Sequence, residues 1–209
     1  LAKTEESRAR LLEVIQHDVR RLDRLITDIS DASRLDAELA REDGRRVDLL
    51  KLITEIAEAS RESRRDKKNV AIDVRTAKKD QPARDFFVSG HDLRIGQVLT
   101  NLIENARSFV PEEDGRIVIT LSRTSHHVVV TVEDNGPGIK VDDIERIFER
   151  FYTDRPSSEA FGQNSGLGLS ISRQIVEAHG GRLTAENIPG AKPGEYRGAR
   201  FIVTLPAEA

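Results

Sequence analysis

Between Leu11 and Leu39 apolar side chains recur at gaps of three and four, at Leu11, Leu12, Ile15, Val19, Leu22, Leu25, Ile26, Ile29, Ala32, Leu35 and Leu39. That period belongs to a helix and predicts one over residues 1–41. The stripe is wider than a two-stranded seam needs, and a helix of this kind cannot bury it alone. It calls for a hairpin partner, a bundle or a second copy of itself. A homodimer through this N-terminal helix is therefore the expected assembly, unless a neighbouring helix belongs beside it.

Glu42-Asp43-Gly44-Arg45-Arg46 interrupts the period, so residues 42–46 are expected to be a linker and residues 47–209 a second unit. In that unit Asp48 N-caps a predicted helix running to Asp66, with Leu49, Leu52, Ile53, Ile56 and Ala59 on one face. Val70–Arg75 and Asp85–Val88 are short strand candidates around a polar loop. A further helix is expected from Asp92 to Ser108. A hairpin of 116–123 with 127–133 follows, then a mixed stretch over 140–165 with a short amphipathic helix. A last helix is expected from Gly166 to His179, stopped by Gly180-Gly181, with strands at 182–187 and 199–205. This order implies an α+β fold, a mixed sheet with helices on one face.

The net charge of −3, with basic and acidic residues interleaved, gives no reason to expect nucleic acid or an anionic membrane as a partner. The chain has no cysteine, which removes disulfides and thiolate metal sites. No apolar run is long enough to span a bilayer and no signal peptide is recognisable. Methionine is absent even at position 1, which points to a piece of a longer protein.

Three elements carry candidate chemistry. On the third predicted helix Arg94, Gln97, Asn101, Asn105 and Ser108 form a polar stripe beside the apolar one. A solvated face is one reading. But two asparagines four residues apart in mid-helix are unfavourable for the helix, and an amide oxygen suits a Mg²⁺ ion that keeps waters and binds phosphates. The second element, Glu133-Asp134-Asn135-Gly136-Pro137-Gly138-Ile139, ends a Val-rich strand. It reads as a tight turn, or as a strand-end carboxylate that accepts a hydrogen bond from an exocyclic amine, beside glycines that admit a ring. The third, Gly162 through Leu169, opens the last helix with glycines at 166 and 168. It is either a flexible lead-in to the helix or a phosphate site built from free backbone N–H groups. It is no Walker loop, since no Lys-Ser/Thr follows.

Together and in order these segments resemble the sensor histidine kinases. Asn101 to Ala106 resembles the N box, Asp134 to Gly138 the G1 box, Ile147 to Tyr152 the F box, and Ser165-Gly166-Leu167-Gly168-Leu169 the G2 box. Gly198 to Phe201 resembles the G3-like end, and Arg21 to Leu25 with Ser33 to Leu35 the second helix of the dimerisation hairpin. The wording over 148–204, with Tyr152 to Pro156, is similar to the ChvG/BvrS type of alphaproteobacterial envelope sensors.

The resemblance implies a Bergerat-type α/β sandwich of the GHKL superfamily, with ATP and Mg²⁺ as cofactors. It further implies a response-regulator receiver domain as partner, and a cytoplasmic location in a parent held in the inner membrane, this part making no membrane contact. Asn105 would hold Mg²⁺ with Asn101 in support, and both would be catalytic. Asp134 would bind the adenine amine, with Gly136, Gly138 and Ile139 shaping the pocket. Gly166 and Gly168, with Ser165, Leu167 and Leu169, would hinge a lid over about 140–165 and bring N–H groups to the phosphates. Phe148 and Phe151 would pack that lid, and Tyr152 and Arg155 would line the site. The ATP-hydrolysing relatives place a general-base Glu where Asn101 stands, and an amide takes no proton at neutral pH, which favours a kinase. Glu104 lies about 300° round the helix from Asn101, off the polar stripe. The alternatives are an ATPase of the same superfamily, or a degenerate nucleotide-binding dimerisation module.

Where the family often has Lys and Arg, this chain has Ser108 and Thr153, so Arg107, Arg150 or Arg155 are the candidate phosphate contacts. None of the five histidines sits in a His-Glu-Leu-Arg/Lys-x-Pro stretch: His17 is followed by Asp18 but by no proline, and His91, His126, His127 and His179 sit at a helix start, in a hairpin and at a helix end. The acceptor histidine is therefore expected to lie outside this chain, which alone would bind Mg-ATP without phosphorylating itself.

Overall fold

The computed structural model describes residues 44–62, 70–78, 86–140, 142, 144–152 and 166–208, together with Arg8, Leu11, Leu12, Ile15 and Val19. Those five early positions are helical and exposed. The remainder of the expected 1–41 helix lies outside the described residues.

The elements run β1 (Arg45–Asp48), α1 (Leu49–Glu62), β2 (Ala71–Thr76), β3 (Phe87–Gly90), α2 (Asp92–Phe109), β4 (Arg116–Arg123), β5 (His127–Asp134), a 3₁₀ turn (Arg146–Phe148), α3 (Gly168–Ala178), β6 (Arg182–Pro189) and β7 (Tyr196–Pro206). A five-stranded sheet has the order β2-β4-β5-β7-β6, parallel only between β2 and β4. A separate two-stranded sheet pairs β1 with β3.

The period-two pattern of β5 decides which way the sheet faces. Val128, Val130 and Val132 are buried towards the helices while Val129, Thr131 and Glu133 are only partly covered. β7 supplies Phe201, Val203 and Leu205 to the same layer. Onto it pack Leu49, Ile53 and Ala57 of α1, Ile95, Leu99, Leu102 and Ala106 of α2, and Ile171 and Ile175 of α3. Asp48 caps α1 as expected, its Oδ1 accepting the Lys51 N–H at 3.0 Å. Among the described residues no helix is long and apolar enough to cross a membrane.

Three local expectations are corrected. Arg45 and Arg46, read as linker, form half of β1, in register from Arg45 opposite Gly90 to Asp48 opposite Phe87. The strand expected at 85–88 is accordingly Phe87–Gly90, with Phe86 turned into the core in the residue before it. β1 carries no alternation to read: its pairing is backbone hydrogen bonding, covered by the Arg46 guanidinium 4.0 Å over the Phe87 ring. The last helix begins at Gly168 rather than Gly166, because Gly166 has φ +71°, which no right-handed helix accommodates.

His179 ends α3, where a cation would suit the helix dipole. Its ring instead lies against Gly90 and His91. Nδ1 is 2.7 Å from the Ile175 carbonyl oxygen, so it carries the proton, and Nε2 accepts the His91 N–H at 3.1 Å. Burial, reinforced by the neighbouring His91, lowers its pKa below 6.5, outweighing the Ile175 bond that raises it. A base with a depressed folded pKa binds its proton later in the native state than in the unfolded chain. The stability it allows is therefore complete above 6.5 and is lost as pH falls from there towards the folded value. Melting temperatures between pH 7.5 and 5.5 are expected to fall more steeply in the wild type than in His179→Gln; equal slopes would refute the assignment.

Candidate functional site

The buried face of β5 ends in a carboxylate. Asp134 continues the inward set of Val128, Val130 and Val132 and is 7% exposed. Its Oδ1 accepts two backbone N–H groups, from Gly136 at 2.8 Å and Ala199 at 3.2 Å. Among the described residues no hydrogen bond falls on Oδ2. Burial raises the Asp134 pKa above the ordinary 3.8, and the bonds from Gly136 and Ala199 counter it.

The glycines around this carboxylate are there for space. A Cβ on Gly136 would lie 2.9 Å from both Asp134 Oδ1 and the Phe109 carbonyl oxygen. Gly138 has φ +80°, and its Cβ would meet Asn187 Oδ1 and Tyr196 Cβ at 2.8 Å. Tightest is Gly198, with φ +148°, where a Cβ would fall 1.8 Å from the Asp134 carbonyl oxygen. Asn135 fastens the other side: its Oδ1 accepts the Arg116 N–H and its Nδ2 donates to the Asp114 carbonyl, both at 2.7 Å.

α2 is the ridge that brings the separate segments together. At positions 101, 105 and 109 it offers one residue per turn along a single stripe. Asn101 Nδ2 donates to the Gly168 carbonyl oxygen and to Ser172 Oγ, each at 3.3 Å, while Ser172 Oγ itself donates to Gly168 O at 2.8 Å. At the other end the Phe109 carbonyl abuts Gly136. Asn105 therefore stands midway between the two glycine segments, about 6 Å along the axis from each contact at 1.5 Å per residue. It is partly exposed, and no hydrogen bond falls on its side-chain amide among the described residues. Glu104 is exposed.

Gly166 closes the base of the 152–165 span. Its carbonyl accepts the Phe151 N–H at 3.0 Å, and a Cβ there would meet the Phe151 backbone at 2.8 Å. Leu167 is buried, and Leu169 packs partly against the core. Phe148 is buried, edge-on to Phe201 at 6.5 Å, with the Arg173 guanidinium 3.6 Å over its face. Arg173 also pairs with Glu145 at 3.2 Å. Phe151 has φ 66° and is 60% exposed. Its backbone is held by Gly166, which turns the ring outward. Tyr152 is partly buried, with Arg146 5.0 Å over its ring. Arg155 and Ser165 lie outside the described residues.

Arg107 is removed from the phosphate candidates. Its guanidinium is buried, and Nη1 donates to the Ser60 carbonyl at 2.5 Å and to Ser60 Oγ at 3.3 Å, tying α2 to α1. The sequence reading names Asn135, Gly198 and Ala199 within its motifs without giving them roles, and it does not single out Asn187. An asparagine inside a strand, as at 187, was the available signal, since Asn is depleted there.

Residues 90–209 match the family described as histidine kinase-, DNA gyrase B-, and HSP90-like ATPase. The sensor protein ChvG of Rhizobium meliloti (strain 1021) is 66% identical over 207 residues, 99% of this chain and 36% of that protein. The chain spans about a third of the length of the two ChvG proteins it matches. Of solved structures, full-length ShkA in complex with AMPPNP has TM-score 0.72 at 26% identity, over 100% of this chain and 41% of that one. Histidine kinase ThkA in complex with response regulator protein TrrA has TM-score 0.68 at 27% identity, over 99% of this chain and 53% of that one.

Proposed function

The chain belongs to the histidine kinase-, DNA gyrase B- and HSP90-like ATPase family and carries the catalytic domain of sensor histidine kinases; from that premise we propose how its residues bind ATP and hold it for phosphotransfer. The buried Asp134 carboxylate carries the proposal. With Oδ1 taken by two backbone donors, Oδ2 accepts the exocyclic amine of adenine, a group guanine replaces by a carbonyl oxygen. Gly136, Gly138 and Ile139 form the wall beside the base. The first turn of α3, entered through Gly166 and Gly168, turns free N–H groups towards the phosphates.

Asn105 would hold Mg²⁺ through its amide oxygen. The donor set fits that ion: among the described residues there is no group of three or more acidic or histidine side chains to cage a metal, and Mg²⁺ prefers one or two protein oxygens plus waters and phosphates. When bound, the ion neutralises phosphate charge. Asn101 is occupied in tying α2 to α3, and its amide cannot take a proton from water. That supports a site which keeps ATP from hydrolysis until an acceptor histidine arrives. The γ-phosphoryl group then passes from ATP to that histidine, leaving ADP, and from the histidine to an aspartate of a response regulator. On this reading residues 1–41 are the second helix of a dimerisation hairpin, through which the parent forms a homodimer. The unit that follows is a cytoplasmic part of a protein anchored in the inner membrane, with Arg155, Ser165 and Tyr152 contributing to its lid.

Titration with a fluorescent ATP analogue, with and without Mg²⁺, tests this. The wild type is expected to bind about tenfold more tightly with Mg²⁺, and Asn105→Ala to lose that difference, as removal of one good ligand implies. Steady phosphate release by the wild type would place the chain with the hydrolases instead.

A further inference from the structure

The wall beside the proposed adenine site is set by a residue of a different strand. Asn187 of β6 makes two hydrogen bonds to one residue of the glycine loop: its Oδ1 accepts the Ile139 N–H at 2.6 Å and its Nδ2 donates to the Ile139 carbonyl at 2.5 Å. One side-chain amide thus satisfies both backbone groups of Ile139, as a neighbouring strand would. The ladder itself makes room for this. β6 pairs with β7 at Asn187 opposite Ala199, then slips register before Pro189 opposite Tyr196, and such irregularities re-aim side chains. The same Oδ1 lies 2.8 Å from where a Cβ of Gly138 would stand, with Tyr196 Cβ at an equal distance. The loop therefore lies against side chains of both β6 and β7, with no room for a Cβ at Gly138.

We infer that Asn187 is a positioning residue for nucleotide selection: its bidentate hold on Ile139 fixes the Gly136–Ile139 wall at the distance from Asp134 that a purine ring needs. The inference rests on the ATP-binding reading above. Without the clamp, Ile139 exchanges its two bonds for water, the wall becomes mobile, and binding must reorder it. Asn187→Asp keeps size and the acceptor for the Ile139 N–H but sets an oxygen against the Ile139 carbonyl. Asn187→Ala removes both bonds.

The test compares wild type, Asn187→Ala and Asn187→Asp, each well below its melting temperature, for ATP and GTP affinity and for amide hydrogen exchange. Both variants are expected to bind ATP about tenfold more weakly, the equivalent of two modest hydrogen bonds, and to show a smaller ATP-to-GTP ratio. The Ile139 amide, slow to exchange in the nucleotide-free wild type, is expected to become fast while amides of the β6–β7 ladder stay protected. A purely structural role would lower the melting temperature and leave the ATP-to-GTP ratio unchanged, and that result would overturn the inference. So would unprotected Ile139 in the wild type, a measurement that needs no variant to fold. A wild type that binds no ATP at all would instead remove the premise, which is a separate outcome.

Discussion

Asp134→Asn is expected to weaken ATP binding by about 100-fold or more while melting no lower than the wild type at pH 7.5. The amide has the size of the carboxylate, and its oxygen can accept the same two N–H groups from Gly136 and Ala199. Its nitrogen must then occupy the position of Oδ2, where it offers a donor to the donor of adenine. Stability moves the other way. Burial raises the folded pKa of Asp134 above 3.8, so the stability this group contributes is present below that value and is lost as pH rises through the folded pKa. Above that folded pKa the buried carboxylate bears a charge that burial leaves incompletely solvated, and the amide removes that cost. Guanine, with an acceptor where adenine has its amine, is expected to bind the variant better than it binds the wild type. Calorimetric titration with both nucleotides and a thermal melt decide the matter; ATP affinity within threefold of wild type would exclude Asp134 from the adenine site.

The largest loss of stability is expected at Gly198. A methyl group there would lie 1.8 Å from the Asp134 carbonyl oxygen and 2.8 Å from its carbon, in a backbone conformation that side chains seldom adopt. β5 and β7 must separate where the site is formed, so Gly198→Ala should cost about 3 kcal/mol or more, roughly 10 °C in melting temperature for a domain of this size. Gly168→Ala is the matched control. It opens α3 with no positive φ, and its Cβ would come no nearer than 3.7 Å to Asn101. That variant should melt within a few degrees of the wild type, alanine being the better helix former. If the two glycines proved equally tolerant, the close approach of β7 to Asp134 would not describe the protein in solution.

What could be read from the sequence was whatever announces itself by period or by cost. β5 is legible because it is rich in valine, whereas the alternation of burial that carries Asp134 inward belongs to the structure. The asparagines of α2 stood out because they are poor residues for a helix interior. β1 stayed hidden because a strand paired only through its backbone needs no pattern. Arg107 misled for a related reason: an arginine beside a polar stripe looks available, and only packing shows its guanidinium spent on Ser60. For Phe151 the resemblance implies a place against the lid, and what the structure adds is a backbone dictated by the Gly166 contact, with the ring exposed. Asn187 acts across the sheet on a loop 48 residues earlier, and no local spacing records such a pairing.

The hydrogen bond from Phe151 to Gly166 has a consequence for how this fold can vary. It joins the two described residues that flank the 152–165 stretch, so the chain leaves and re-enters the described domain at neighbouring points. The entropy of closing a loop between fixed ends grows only logarithmically, about 0.6 kcal/mol for each doubling of length. Chain added between Phe151 and Gly166 is therefore expected to cost the folded domain little, because the separation of its ends is already fixed by that one bond.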